Sequence, residues 1–424
     1  MIKKINCGIL FTILLLLLFA PDQTFSQEKE TAAENSSLRV FLDRFWDWED
    51  FIKEEMRFLT YVRDTRQAQV YILLTQQHTS TGGDEFTITY VGQENFSGVN
   101  DTLKFVSNQD DTEQIQRTKV LKYLKMGLMR YVSRTTLAEG ISIDHSDTGS
   151  GERPVLEMED KWNFWVFRIA SDFDLEAEES YKESSLEGYL SANRTTEDWK
   201  IRLNYESYYR EDVNETEEET YRSYRRSNEV NGLIVKSIND HWSAGIISRI
   251  DSDTRVNTKL LLGIGPAIEY NIFPYSRYTR QNLTFRFSVN SNYVKYRQVT
   301  IFDKTSENLN YASLAISGEI IEKWGDARMS LDGNVYFHDT KVNKLEWDSN
   351  IDIRLFKGFS LDMNLEISLI HDQLYLAKGD HTVDEILLKQ TQLKTNWRTE
   401  ARIGISYTFG SPFDSIVNPR FGEH

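Results

Sequence analysis

Residues 359–369 read Phe-Ser-Leu-Asp-Met-Asn-Leu-Glu-Ile-Ser-Leu. Phe359, Leu361, Met363, Leu365, Ile367 and Leu369 alternate with Ser360, Asp362, Asn364, Glu366 and Ser368. Successive side chains of a β-strand point to opposite faces, so this segment carries one apolar face and one polar face along its whole length. A strand of this kind has hydrocarbon or core on one side and water on the other. Residues 397–409 repeat the pattern, with Trp397, Ile403, Ile405, Tyr407 and Phe409 set against Arg398, Glu400, Arg402, Gly404 and Ser406. So do residues 327–337, with Arg328, Ser330, Asp332 and Asn334 between the apolar positions, and residues 283–293, with Arg286, Ser288, Asn290 and Asn292.

The period of two holds from about residue 161 to the end. It predicts twelve strands at 161–175, 184–194, 199–209, 222–237, 241–251, 258–272, 282–297, 309–321, 326–338, 345–355, 359–370 and 396–409. The connections at 195–198, 238–240, 322–325 and 356–358 are short, whereas 210–221 and 377–392 read as long polar loops. Short turns at one rim and long loops at the other, with an even strand number, are the marks of an outer-membrane β-barrel. A soluble β-sandwich is the alternative, but sandwich strands average only ~5–6 residues, and Trp199, Trp242 and Trp324 near the short turns suit an interfacial aromatic girdle. Mean hydropathy is −0.50 with 12% aromatics, and beyond the N-terminus no apolar run approaches a membrane helix. Only strands could cross a bilayer here.

Residues 38–146 have a mixed pattern and predict a small α/β domain in the order β-α-β-β-β-α. A first strand covers 38–42 and a short acidic-ended helix 47–56. Residues 69–75 (Gln-Val-Tyr-Ile-Leu-Leu-Thr) are nearly continuous in apolar character and predict a strand covered on both faces. Strands follow at 85–91 and 101–106. A helix at 112–133 places Ile115, Val120, Leu121, Leu124, Leu128, Met129 and Val132 on one face. In architecture this domain is similar to the N-terminal module of TolB and related periplasmic envelope proteins.

The expected organisation is therefore a signal peptide at 1–26, a disordered linker at 27–37, a periplasmic α/β domain at 38–146, and a linker at 147–160. The outer-membrane β-barrel follows at 161–409, and a C-terminal periplasmic tail at 410–424. The one cysteine, Cys7, precedes the apolar core of the signal, which excludes a lipoprotein acceptor role and leaves the mature chain without disulfides.

Chemistry is sparse. A net charge of −16 argues against nucleic-acid binding. His338 and His371, beside Asp339 and Asp372, are read as solvated strand-end residues more than as a metal site. The acidic run Glu211, Asp212, Glu215, Glu217, Glu218 and Glu219 is read as a hydrated loop more than as a cation site, and Gly82 and Gly83 as a hairpin turn more than as a phosphate loop. No catalytic, cofactor or metal residue is assigned, and the chain is read as no enzyme. Parity places Arg168, Arg202, Glu206, Arg249, Glu269, Arg286, Asp362, Glu366, Arg398 and Arg402 on the water face as lumen-lining candidates. Arg63, Arg66, Lys119, Lys122 and Lys125 are candidate contacts on the N-terminal domain.

Residues 260–272 (LLLGIGPAIEYNI) with the terminal stretch 405–421 (ISYTFGSPFDSIVNPRF) resemble the YdiY-like family of salt-induced outer-membrane proteins, in forms found in the Bacteroidetes. The resemblance covers roughly the strand-rich region. It implies location and fold, and carries no enzymatic or transport activity. The chain departs from that family by its N-terminal domain, and from common barrels by the tail after Phe409.

Two functions fit these readings. One is an envelope anchor whose periplasmic domain docks a protein or cell-wall partner. The other is a small-solute channel with the domain as plug or adaptor. Both imply contact with outer-membrane lipid, and with the barrel assembly machinery during biogenesis.

Overall fold

The computed structural model describes residues 38–45, 48–79, 83–108, 111–142, 160–215, 220–356, 358–378 and 394–411. The expected signal peptide, the first linker, most of the second linker, Glu217–Glu219, Gly82 and nearly all of the C-terminal tail lie outside the described residues.

Five strands build the first sheet: β1 (Arg39–Asp43), β2 (Thr60–Tyr61), β3 (Val70–His78), β4 (Asp84–Gly92) and β5 (Asn100–Ser107). Its order is β2-β1-β3-β4-β5. β1 runs parallel to β2 and β3, and β3, β4 and β5 are antiparallel. Helices α1 (Glu49–Glu55) and α2 (Glu113–Val132) cover one face. Val40, Leu42, Ile72, Leu74, Phe86, Ile88 and Tyr90 from the sheet pack there with Ile52, Met56, Val120, Leu124 and Leu128.

The predicted elements all form, and β2 is added. It is two residues long, too short to leave a period in the sequence, and it is held by Thr60 N–H to Leu38 C=O and Val62 N–H to Val40 C=O, both 3.0 Å. On α2, burial begins at Val120, and Ile115, expected on the packed face, is 42% exposed. Gly127 sits in the packed face instead, because a Cβ there would lie 2.1 Å from the Tyr90 ring. That ring reaches the helix so closely because its hydroxyl donates to the carbonyls of Tyr123 and Leu124, at 3.0 and 3.3 Å.

Twelve strands follow: β6 (Trp165–Ala177), β7 (Tyr181–Thr195), β8 (Trp199–Glu215), β9 (Thr220–Ser237), β10 (Trp242–Asp253), β11 (Thr258–Asn271), β12 (Gln281–Tyr296), β13 (Ser306–Glu322), β14 (Gly325–Tyr336), β15 (Asn343–Phe356), β16 (Phe359–Ile370) and β17 (Trp397–Tyr407). They form one up-and-down antiparallel sheet in sequence order. The fold is thus mainly β, a twelve-stranded antiparallel sheet behind a small α/β domain.

The ladder register fixes the two faces. Arg286 of β12 lies opposite Glu269 of β11 and Ala315 of β13, which lies opposite Asp332 of β14. Carried through every pair, one face bears the polar series. The other bears Phe173, Leu203, Ile246, Ile264, Phe285, Leu314, Leu331, Ile351, Leu365 and Ile403.

One expectation needs correction. The loop predicted at 210–221 is mostly strand, because β8 runs to Glu215 and β9 starts at Thr220. Asp212 and Glu215 are neutralised there, since Arg210 pairs with Glu183 and Asp212 at 2.8 and 2.9 Å and Lys182 with Glu215 at 3.1 Å. The ladder itself runs from β6 to β17, with no pairing between these two strands among the described residues. Among the described residues no helix is long and apolar enough to cross a membrane.

Candidate functional site

The best-built site is the contact between the N-terminal domain and the short-turn rim of the large sheet. It starts from β3. Val70, Ile72 and Leu74 enter the helix-covered core, so Tyr71 and Leu73 must face the other way. They are 1% and 0% exposed, covered by Ile321 at the end of β13, with Phe41 and Val91 beside them. The nearly continuous apolar run predicted to be covered on both faces is therefore covered by helices on one side and by the rim on the other.

Around this patch the contact is charged. Arg354 donates to both carboxylate oxygens of Asp43, Nη1 to Oδ2 at 2.9 Å and Nη2 to Oδ1 at 2.7 Å. The Tyr71 hydroxyl donates to Oδ2 at 2.6 Å. Asp43 is 7% exposed in its side chain and has three donors. A bidentate Arg–carboxylate pair of this geometry is among the strongest polar contacts available. Burial, with the Asp43 carboxylate beside it, raises the Tyr71 hydroxyl far above its ordinary range and keeps it a donor. The Arg354 guanidinium also lies over the Phe41 ring at 5.3 Å, and Lys323 over the Tyr71 ring at 5.9 Å. Lys323 Nζ donates to Gln93 Oε1 at 3.4 Å.

The next residue contributes a second prong. Arg44 Nη2 pairs with Asp326 Oδ1 at 2.7 Å. Neighbouring strand residues point to opposite faces, so Asp43 and Arg44 could not both reach the rim if β1 simply continued. Arg44 has φ 63°, which breaks the alternation at the strand end. That conformation costs a non-glycine residue about 1 kcal/mol or more, an expense the ion pair offsets. On the large sheet, Asp326, Asp352 and Asp362 lie directly opposite one another on three adjacent strands. Like charges so placed are unfavourable, and Arg44 and Arg354 bring compensating charge to the row. A cleft of about 840 Å³ remains between the domain and the inner face, lined by Arg44, Asp326, Asp352, Arg354, Asp362 and Arg402.

The opposite end of the sheet is also covered on its polar face. After β16, residues 371–378 cross toward β11 and β12. Asn257 Nδ2 donates to Tyr375 C=O at 2.9 Å, Ile301 N–H to Leu376 C=O at 2.8 Å, and Lys378 N–H to Val299 C=O at 2.7 Å. Leu374 is buried among Val294, Tyr296, Leu309 and Tyr336, all on the polar-face parity of β12–β14.

The ten lumen-lining candidates all occupy that polar face by register. They do not converge on one point. Arg249 pairs with Glu229 at 3.3 Å and Asp251 at 3.6 Å, and Arg398 with Glu400 at 3.1 Å and Glu366 at 3.9 Å. Arg286 lies opposite Glu269, which accepts from the Tyr275 hydroxyl at 3.1 Å. Arg202 and Glu206 lie four residues apart on β8, with Glu206 opposite Glu229. Arg168 lies over the Tyr189 ring at 5.7 Å. Asp362 and Arg402 line the cleft.

On the domain, Arg66 pairs with Asp64, Lys119 with Asp111 and Lys125 with Glu55, so these three cations are engaged within the domain. His371 Nδ1 lies 3.2 Å from Asn343 Oδ1 and His338 packs edge-on to Tyr336. No group of three His, Cys, Asp or Glu side chains gathers as a metal site among the described residues. Thr79 N–H bonds Gly83 C=O at 2.8 Å beside the antiparallel β3–β4 pair, which places Gly83 in a hairpin.

Sequence reasoning missed Asp43, Arg44, Ile321 and Asp326 as site residues. The one signal for them was the run at 69–75, whose second apolar face required a cover.

No protein-family model matches the chain, and no curated protein matches it. Among solved structures, the β domain of the Bordetella autotransporter BrkA is similar over 58% of this chain and 98% of its own, at 12% identity and a TM-score of 0.23. A score at that level carries no weight for fold or function, and the strand ladder stands on its own.

Proposed function

We propose that this chain is an outer-membrane barrel protein that serves as an envelope anchor. The apolar face of β6–β17 meets lipid, the short-turn rim faces the periplasm, and the N-terminal domain is clamped to that rim, where it presents its remaining surface to a periplasmic protein or to the cell wall. The observation that carries this reading is the Asp43–Arg354 and Arg44–Asp326 double ion pair around the Tyr71–Leu73–Ile321 patch. It joins the two parts as one piece, where a freely tethered domain would expose that patch. The YdiY-like assignment stays within this reading and rests on residues 260–272 and 405–421 alone.

The second reading, a channel with the domain as plug, is favoured by the position of the domain beside the polar face and by the cleft left there. Planar-bilayer recording of the purified full chain separates the two. An anchor covered at both ends gives no conductance steps above leak. Steady single-channel steps from the intact protein would overturn the anchor reading and establish the channel.

A further inference from the structure

The two end strands of the large sheet, β6 and β17, have free edges. Their outer side chains are the barest in the sheet: Ile169 on β6 is 83% exposed and Ile403 on β17 is 70% exposed, against 48% for Ile246 on interior β10. Long, unblunted edges of this kind are templates for pairing. β6 and β17 are similar in length and their directions are antiparallel, because an even number of alternating strands separates first from last.

Their polar faces are complementary. Asp172 and Glu176 on β6, and Arg402 on β17, have no ion pair among the described residues. Apolar-out registry allows only shifts of two residues between the strands. In one of these registers Arg402 falls opposite Asp172 and Arg398 opposite Glu176, while Tyr407 meets Phe167 and Phe409 meets Trp165 on the outside. Shifting by two in either direction leaves only one opposite-charge pair within the two strands. In the favoured register Asp174 meets Glu400, but Glu400 is already bonded to Arg398 and Asp174 accepts from Ser185 at 3.3 Å.

We propose that in the membrane β6 and β17 pair antiparallel in this register and close the sheet, with Arg402 on Asp172 and Arg398 on Glu176 as the seam. The proposal rests on the membrane reading above and specifies how that barrel is sealed. An independent quantity agrees with it. Carrying the eleven observed ladder registers round the sheet and through this seam returns to β6 with a stagger of about 14 residues. With ~3.3 Å per residue and ~4.8 Å between strands, that stagger tilts the strands by about 40°, inside the 35–45° of membrane barrels.

Disulfide trapping tests the register in the full chain, with Cys7→Ser as background. Arg168→Cys with Ser406→Cys are directly opposite in the proposed seam, and Arg168→Cys with Glu400→Cys are six residues out of register. After oxidation of outer-membrane fractions, the first pair is expected to give a reducible intramolecular cross-link and the second none. A membrane-fractionating protein in which the first pair stays reduced, or in which both pairs cross-link equally, overturns the seam and leaves the membrane reading standing. A protein recovered in the soluble fraction overturns both. As a second readout, Arg402→Glu is expected to lower the temperature at which the compact form is lost on gels, and adding Asp172→Arg is expected to restore it. A double variant less stable than either single one contradicts the pair.

Discussion

Removing Arg354 should release the N-terminal domain more readily than removing its partner Asp43, although the two form one ion pair. Asp43 is nearly enclosed, at 7% exposure, whereas Arg354 is 38% exposed. Arg354→Ala therefore strands a buried carboxylate, at a cost of about 3 kcal/mol to docking. Asp43→Ala leaves a guanidinium that can still reach water and loses roughly 1.5 kcal/mol of charged hydrogen bonding. Ile321 gives the readout, because it is 5% exposed under Tyr71 and Leu73 and becomes open to solvent only when the domain leaves. In an Ile321→Cys background, the maleimide labelling rate reports the undocked fraction. At 1.4 kcal/mol per tenfold, the rate should rise on the order of 100-fold for Arg354→Ala and about tenfold for Asp43→Ala. The double variant should fall at or below the Arg354→Ala rate, since no stranded charge remains, where independent contacts would multiply to about 1,000-fold. Rates unchanged within about threefold in both single variants, or multiplying in the double, would refute the clamp.

Three further outcomes follow from the same geometry. Gly127→Ala forces a methyl group into the Tyr90 ring and should cost the domain about 2 kcal/mol, lowering its near-ultraviolet circular-dichroism melting midpoint by roughly 8–16 °C; an unchanged midpoint would show that the ring is not held there. Asp111 accepts from Lys119, the Ser107 hydroxyl at 2.6 Å and the Asn108 N–H at 2.8 Å, and its carboxyl is held down at about 2, chiefly by the Lys119 and Ser107 bonds. Its contribution is thus complete above the ordinary carboxylate range near pH 4 and is lost as pH falls toward 2, and Asp111→Asn should flatten the acid limb of domain stability over that window. On β14, Leu331→Arg on the apolar face should cost about 2–4 kcal/mol of stability in lipid, measured by urea unfolding in vesicles, while Ser330→Arg on the polar face should be nearly neutral; equal effects would contradict the face assignment.

The large sheet was legible because its information is local. A period of two needs only neighbouring residues, and Phe359–Ile370 declares both faces without reference to any other strand. Boundaries slipped where charge pairing extended strands past apparent loop composition, as at Glu211, Asp212 and Glu215, because a row of acids looks self-repelling until the Arg210 and Lys182 that neutralise it are placed beside it. In the small domain the helices and four strands followed from period and run length, but β2 did not, since two residues carry no period. The docking site was least legible. Asp43 and Arg354 are more than 300 residues apart in sequence, and the turn that brings Arg44 to the same side depends on a positive φ that its residue type does not announce. The run at 69–75 announced that a cover was needed and left its identity open, because burial is a property of the run and the partner is not. The shared polar-face parity of residues such as Arg286 and Asp362 was readable for the same reason as the strands, while the Arg44–Asp326 and Asp43–Arg354 pairs needed the tertiary arrangement.

In the membrane reading, odd and even residues of the strands face different media. A spin-label scan along β16, one cysteine at a time from Ser360 to Leu369 in reconstituted vesicles, reads this directly. Labels at Leu361, Met363, Leu365 and Ile367 should be accessible to oxygen dissolved in the bilayer and shielded from an aqueous nickel reagent, with the opposite preference at Asp362, Asn364 and Glu366. A scan with no period of two, or with nickel access at every position, would contradict a membrane-facing sheet.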